Sequence, residues 1–216
     1  MEALGGIAAG IIIHRTGRYL ELIYTGLVLL TIGNGLYILI DADSSLGKVI
    51  GFELIAGIGA GFVFEPPLIA LQALVAQDNV ATATATLGFI RNLSTSMSIV
   101  IGGVVLQNSM NQRSSQFAAQ GLPANLVSEF AGRDAVANVN LISMISDPTQ
   151  RLVVQQAFAW SLRNMWIMMT GIGACGVVAS LFVGSSVLSK EHTETRTGIR
   201  EKEKDRVPGE EGTIYE

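Results

Sequence analysis

The chain of 216 residues is too apolar and too weakly charged for an ordinary soluble domain, because 49% of its residues are hydrophobic and only 15% are charged. The formal net charge is −4, and outside the charged tail of residues 190–216 only eight Lys or Arg remain beside ten Asp or Glu, so no basic surface large enough for nucleic acid is left. One cysteine, together with two histidines far apart in the sequence, argues against a disulfide framework, a metal site and a catalytic pair, so we expect no cofactor.

The first apolar stretch, residues 3–13, is about half as long as the roughly 20 residues that a membrane-spanning helix needs. We interpret this stretch as the end of a helix whose beginning is missing. A short basic segment with the sequence GIIIHRTGR, residues 10–18, overlaps its end and precedes the next apolar run.

Four longer apolar segments follow, and each exceeds the roughly 18 residues expected of a spanning helix. None of them alternates apolar and polar residues with period two, so membrane strands are not expected. We therefore predict an all-α integral membrane fold with four full transmembrane helices and a half helix. The predicted spans are residues 3–13 in part, 19–40, 49–75, 84–106 and 164–188.

A long mixed connection, residues 107–163, separates the last two spans. Five apolar residues within it are spaced as in short amphipathic helices: Leu126, Phe130, Val136, Val139 and Leu141. Asp147-Pro148-Thr149 predicts a helix start, with Asp147 as the N-cap and proline at the first helical position. We expect that helix to continue into the last span.

The distribution of cations predicts an orientation, because short cytoplasmic loops carry an excess of Lys and Arg. The rule places residues 10–18 in the cytoplasm, and with them the tail of residues 190–216. The connection 107–163 is then extracellular. The tail is mostly charged residues, Gly and Thr, so we predict that it is disordered.

Two acids lie inside the predicted second full span, and a charge within the bilayer normally faces protein or water and often has a task. Glu53 is a candidate for proton coupling or substrate contact, although an ion pair with Lys48 would also explain it. Glu65 precedes Pro66-Pro67, which weaken the helix. Glu65 either lines a transport cavity or lies at a hinge in the span, where its carboxylate is bonded to a neighbouring helix.

A polar stripe in the next span begins at Arg91 and continues through Ser94 and Ser98 on one helical face. The stripe suits a helix that faces a wet pathway. Alternatively, Arg91 extends to the nearby cytoplasmic interface.

Glycines spaced by four residues predict close contacts between helices in the membrane. One such pattern is Glu53-x-x-x-Gly57-x-x-x-Gly61, and a second seam in the last span includes Gly176 and Gly184.

The segment GIIIHRTGR resembles the loop signature Gly-x-x-x-Asp-Arg-x-Gly-Arg of the major facilitator superfamily. Gly10, Arg15, Gly17 and Arg18 match, and His14 replaces the usual acid. The resemblance implies a two-glycine turn between antiparallel helices, acting as a gating element at the inner surface.

Two further stretches are similar to the same superfamily. Residues 49–61 resemble its fourth-helix signature through Gly57, Gly59 and Gly61, with Glu53 in place of an arginine. Residues 81–103 resemble a late region of the fourteen-span drug:proton antiporters, and Ser94 and Ser98 stand where that family tends to carry glycine. The likeness is greatest to fungal efflux pumps of that family and extends over residues 3–189.

The resemblance implies that residues 1–189 are the C-terminal part of the membrane domain of a transporter, a partial major-facilitator bundle. It implies proton-coupled efflux of small amphipathic or toxic compounds by alternating access, across the plasma membrane. The implied partners are the lipid bilayer, a small-molecule substrate, protons and a missing N-terminal half.

Two other interpretations compete with this one. The chain could be a truncated, non-transporting membrane fragment. An enzyme is not expected, because Glu53 and Glu65 lie about 18 Å apart along one helix and are too distant for a catalytic pair.

Overall fold

The computed structural model describes residues 2–131 and 135–183 and contains six α-helices and two short 3₁₀ turns. No strand occurs within these two ranges, so the all-α prediction is confirmed. The helices are α1 (Glu2–Thr16), α2 (Leu20–Tyr37), α3 (Leu46–Leu74), α4 (Val80–Ala119), α5 (Ala124–Phe130) and α6 (Pro148–Ser180). The 3₁₀ turns are Gln77–Asn79 and Val139–Met144.

Four of these helices, α2, α3, α4 and α6, are long and apolar enough to cross a membrane. Helix α3 packs between α1 and α2, and α6 packs against both α2 and α4. Close contacts pair Gly33 with Ala56 and Gly26 with Phe62, so α2 and α3 are antiparallel. Gly5 lies against Ile58, while Ile13 and Ala70 share a core cluster, so α1 and α3 are parallel.

Glycines set the distance between α3 and its two neighbours. A Cβ atom at Gly61 would lie 2.5 Å from the backbone oxygen of Glu2 and 2.6 Å from the backbone nitrogen of Gly6, both in α1. A Cβ atom at Gly59 would lie 2.5 Å from the backbone nitrogen of Leu30 in α2. Because residues two apart point to opposite sides of a helix, these glycines allow backbone contact on two faces of α3.

Helix α3 continues through Pro66 and Pro67, with Pro66 buried. Its N-terminus is capped by Ser45, whose side chain accepts a hydrogen bond from the backbone nitrogen of Lys48. The prolines cannot donate to the carbonyls of Phe62 and Val63, so the helical ladder loses two bonds within this turn. The weakest part of α3 therefore lies one turn beyond its glycine contacts.

The segment 107–163 is more helical than a mixed connection, and we call it the cap. Helix α4 continues past Leu106 to Ala119, and α6 begins at Pro148. Hydropathy predicts where a helix leaves the hydrocarbon layer of the membrane, but it does not predict where the helix itself ends. A polar sequence such as that of residues 107–113 can continue the helix into water. The predicted start of α6 is confirmed, because Asp147 Oδ1 accepts a hydrogen bond from the backbone nitrogen of Thr149 at 2.8 Å.

The cap has its own hydrophobic core, which joins the ends of α4 and α6 to α5. Phe117, Phe130 and Val154 are fully buried there. The rings of Phe130 and Phe158 meet edge to face, with their centroids 6.2 Å apart. These buried apolar contacts hold the cap as a folded unit.

The glycine seam predicted in the last span stays a prediction, and the contact that the described helices make there runs through a different glycine. A Cβ atom at Gly176 would meet no atom within 4 Å, whereas one at Gly173 would lie 2.8 Å from Thr31 Oγ1 in α2. The contact between α6 and α2 is therefore made at Gly173. Which glycine of α6 faces α2 depends on how α6 is rotated about its axis, and local sequence does not determine that rotation. Gly184, the end of the span predicted to reach residue 188, and the tail 190–216 lie outside the described residues.

We predict that Gly61→Ala destabilises the chain by about 1–3 kcal/mol, because the new methyl group would overlap the backbone of α1. Gly51→Ala, on the same helix, is the matched control: a Cβ atom there meets nothing within 4 Å. Thermal unfolding of both variants in detergent, followed by circular dichroism, measures the difference. Equal midpoints for the two variants would show that α1 does not contact α3 at Gly61.

Candidate functional site

The predicted charged residues Glu65 and Arg91 come to the same turn of α3, beside its two prolines. Arg91 extends from α4 and donates a hydrogen bond from Nη2 to the carbonyl oxygen of Phe64 at 2.8 Å. Its guanidinium carbon also lies 3.9 Å from the centroid of the Phe64 ring. A backbone acceptor and an aromatic face together stabilise a cation away from bulk water.

Glu65 points away from Arg91 toward α1. Its Cγ atom would lie 3.4 Å from a Cβ atom at Gly6, and its side chain is half-buried. Among the described residues, no Lys, Arg or His nitrogen lies within 4.0 Å of its carboxylate. Arg91 and Glu65 are therefore adjacent to one backbone position but do not neutralise each other.

A groove of about 530 Å³ between α1 and α3 contains Glu65. Its lining residues include Glu2, Gly6, Ile7, Gly10, Phe64 and Glu65. Phe64 contacts Arg91 and also lines the groove. Phe64 thus connects α4, which carries Arg91, to the wall of the groove. Two carboxylates in a mostly apolar groove could bind a cation or exchange protons.

The polar stripe of α4 is only partly brought to this site. Ser98 faces α6, where its Oγ atom lies 3.9 Å from the sulfur of Met169. Ser94 is exposed, as is most of α4 between residues 89 and 101. Gly102, further along α4, packs against the side chains of Met165 and Met169.

Glu53 lies far from Glu65, near the cap end of α3, and it is exposed. The proposed ion pair with Lys48 is not present, because Lys48 Nζ instead donates to the carbonyl oxygen of Leu39 at 2.5 Å. Gly57, one turn further along α3, is half-buried. The structure therefore does not bring the two acids of α3 into one site.

The segment GIIIHRTGR folds differently from a two-glycine turn. Gly10 lies inside α1, and only Gly17 adopts a positive φ, of 71°. The Gly17 backbone nitrogen donates a hydrogen bond to the Ile13 carbonyl at 2.7 Å. Gly17 therefore forms the C-terminal cap of α1, in the left-handed backbone conformation that is common at this position. Gly10 remains helical because nothing interrupts the backbone ladder before Thr16.

The cations of this segment are exposed at the end of the bundle. Arg15 occupies the last turn of α1 beside His14, and its positive charge interacts favourably with the negative end of the helix dipole. Arg18 pairs with Glu21 in the first turn of α2, at 3.3 Å. The motif thus links α1 to α2 through one glycine cap and one local ion pair.

Phe64, Gly6 and Gly173 contribute contacts that the sequence reasoning missed. Phe64 directly precedes Glu65-Pro66, where the prolines interrupt the backbone hydrogen bonds of the helix. The sequence could therefore have indicated that the Phe64 region accepts a hydrogen bond from another helix. Gly6 belongs to a run of small residues at the start of the chain, and Gly173 belongs to a glycine-rich turn of α6. Which of these residues faces a neighbour depends on helix rotation.

No cluster of three or more metal-ligating side chains occurs among the described residues.

We expect Arg91→Met to lower stability by about 1.5–3 kcal/mol, since a charged hydrogen bond and a cation–π contact are lost while the side-chain stem remains. Asn92→Ala changes the exposed neighbouring position and serves as the control. Thermal unfolding of each variant in detergent provides the measurement. An Arg91→Met protein as stable as the parent would mean that this contact does not hold α4 to α3.

Gly17→Ala should cost about 1–2 kcal/mol, because a residue with a Cβ atom is strained at this φ. Gly10→Ala should be neutral or stabilising, since Gly10 is helical and open to added atoms. Unfolding midpoints of the two single variants test this difference within one motif. The cap assignment fails if Gly10→Ala is the more damaging change.

Similar proteins are fungal transporters. The chain is 40% identical to the MFS-type transporter ppz2 of Metarhizium majus over 91% of this chain and 34% of that protein. It is 39% identical to the efflux pump dotC of Dothistroma septosporum over 91% of this chain and 33% of the pump. It is 31% identical to the efflux pump FUS6 of Gibberella moniliformis over 100% of this chain and 38% of that pump.

No family model matches the chain, and no solved structure matches it significantly. The curated relatives are therefore the evidence for its family, and the chain spans about one third of the length of those named above. The resemblance to the major facilitator superfamily is confirmed: this chain is a homologue of fungal transporters of that superfamily, corresponding to part of their length.

Proposed function

We propose that the chain is the C-terminal part of a secondary active transporter that exports small amphipathic or toxic compounds. The observation that carries this proposal is its similarity, over nine-tenths of its length or more, to proteins named as efflux pumps. Four helices long and apolar enough to cross a membrane support a membrane role. The remaining helices of such a transporter would complete the pathway between two bundles, in the plasma membrane.

In this proposal, Glu65 is the leading candidate for proton exchange. It lines the groove between α1 and α3, has no ion-pair partner among the described residues, and precedes the weakened turn of α3. A proton on Glu65 removes a charge from the groove, and the weakened turn lets α3 adjust its shape. Glu53 is the second candidate, from its position at the opposite end of the same helix.

The other predicted residues have supporting roles in the same proposal. Arg91 connects α4 to α3, and Ser94 and Ser98 belong to the pathway face of α4. The segment 10–18 is a gating element at the cytoplasmic surface, with His14, Arg15 and Arg18 presented to water. The cap is then extracellular and the tail 190–216 cytoplasmic, as the distribution of positive charge favours.

A second candidate function is that of a truncated, non-transporting membrane fragment. The two functions predict different genes. An upstream reading frame in register that encodes further spans supports the transporter, whereas a promoter and translation start at Met1 support the fragment.

We expect Glu65→Gln in the complete gene product to reduce efflux driven by a proton gradient at least about ten-fold, because the amide cannot bind and release a proton. Exchange of substrate without a gradient should persist. Efflux from cells or proteoliposomes, with and without the gradient, is the measurement. Glu53→Gln tests the second acid in the same way.

Asp78→Asn, in the exposed turn between α3 and α4, is the control for both substitutions. Normal rate and normal pH dependence in both glutamine variants would exclude these acids as coupling groups. Absence of any efflux by the unmodified complete gene product would favour the fragment.

A further inference from the structure

A second cavity lies at the cap end of the bundle, and it shares no lining residue with the groove beside Glu65. It has a volume of about 490 Å³, which is within the range of small-molecule sites. The end of α2, the start of α3, the turn Val139–Met144 and the first half of α6 enclose it. The cap therefore creates this cavity by folding back on the helices.

Aromatic rings form much of the cavity wall. Tyr37 and Trp166 lie with their ring centroids 4.5 Å apart and their planes tilted by 33°. Phe158, which also belongs to the core of the cap, is 9% exposed and forms another part of the wall. Ile40, Val49 and Ile142 complete an apolar surface that fits a flat or bulky hydrocarbon group.

Asp41 is the only charged residue among the described residues that line this cavity. Its backbone is fixed in a turn, because its nitrogen donates to Ser44 Oγ at 2.9 Å and its carbonyl accepts from the Ser44 nitrogen at 3.0 Å. Asp41 also lines an adjoining polar cavity of about 320 Å³, together with Asp43 and Trp160. Asp41 is exposed and borders both the apolar cavity and the polar one.

Two nearby cations have other partners, and a third, Arg163, borders only the polar cavity. Lys48 donates to the Leu39 carbonyl and lies 5.7 Å from the centroid of the Phe52 ring. Arg113 lies over the Trp160 ring and donates to Gln116. Arg163 lines the polar cavity but not the apolar one. No Lys, Arg or His nitrogen of the described chain lies within 4.0 Å of the Asp41 carboxylate.

We propose that this cavity binds an amphipathic organic cation, with its apolar body against Tyr37 and Trp166 and its charge at Asp41. An aromatic wall and one carboxylate favour a cation of low hydration over an anion or a neutral molecule of the same shape. A single carboxylate offers too few oxygen ligands for a divalent metal ion. This site is separate from the acids of the proposed transport mechanism, so its occupation does not depend on transport.

The chain contains two tryptophans, so Trp160→Phe leaves Trp166 in the cavity as the only tryptophan reporter. The experiment titrates this purified variant, in detergent, with tetraphenylphosphonium and follows the fluorescence of Trp166. We expect saturable quenching with the cation. The neutral compound triphenylphosphine oxide should bind at least about ten-fold more weakly, since it lacks the charge that Asp41 attracts.

Substitutions in the same background identify the carboxylate. Asp41→Asn should weaken binding at least about ten-fold, while Asp41→Glu, which keeps the charge, should stay within about three-fold of the parent. Asp43→Asn, which changes only the polar cavity, should leave affinity within about two-fold. Equal affinity of the parent and Asp41→Asn, equal binding of the neutral compound, or quenching that does not saturate would each overturn the proposal.

Discussion

Direct contact between helix backbones at Gly59 and Gly61 is the constraint on which the bundle depends. In a bilayer, apolar side chains gain little by leaving lipid for protein, so close packing must hold helices together. Removing the Cβ atom on both faces of α3 lets α1 and α2 approach it directly. This contact sets the position of α3, and α3 in turn positions the groove, the two prolines and both acids.

The site beside Pro66 follows from that placement. A helix clamped over one turn and deprived of two backbone donors in the next has a defined place to bend. Arg91 contacts this turn from α4, and Glu65 leaves it toward α1. The two charged residues beside this turn thus face different helices, and both are anchored to one short segment of α3.

The sequence predicted the features that local chemistry determines. Long apolar runs predicted the spanning helices, and Asp147-Pro148 predicted the start of α6, because an N-cap acts within a few residues. The rotation of each helix about its axis could not be predicted from the sequence. Gly176 and Gly173 look equivalent in sequence, but of these two only Gly173 contacts α2. Phe64 as the partner of Arg91, and the folding of the cap over an aromatic cavity, likewise depend on contacts distant in sequence.

Helix α4 joins the membrane segment to the cap without interruption, over 40 residues. At 1.5 Å per residue it is a rod of about 60 Å, and about 42 Å of it lies between Arg91 and Ala119. If the rod pivots at Arg91 by about 10°, simple trigonometry on that length moves its far end by about 7 Å. A small tilt at Arg91 is thereby magnified at the end of α4 that lies in the cap, and the mechanical leverage comes from length alone.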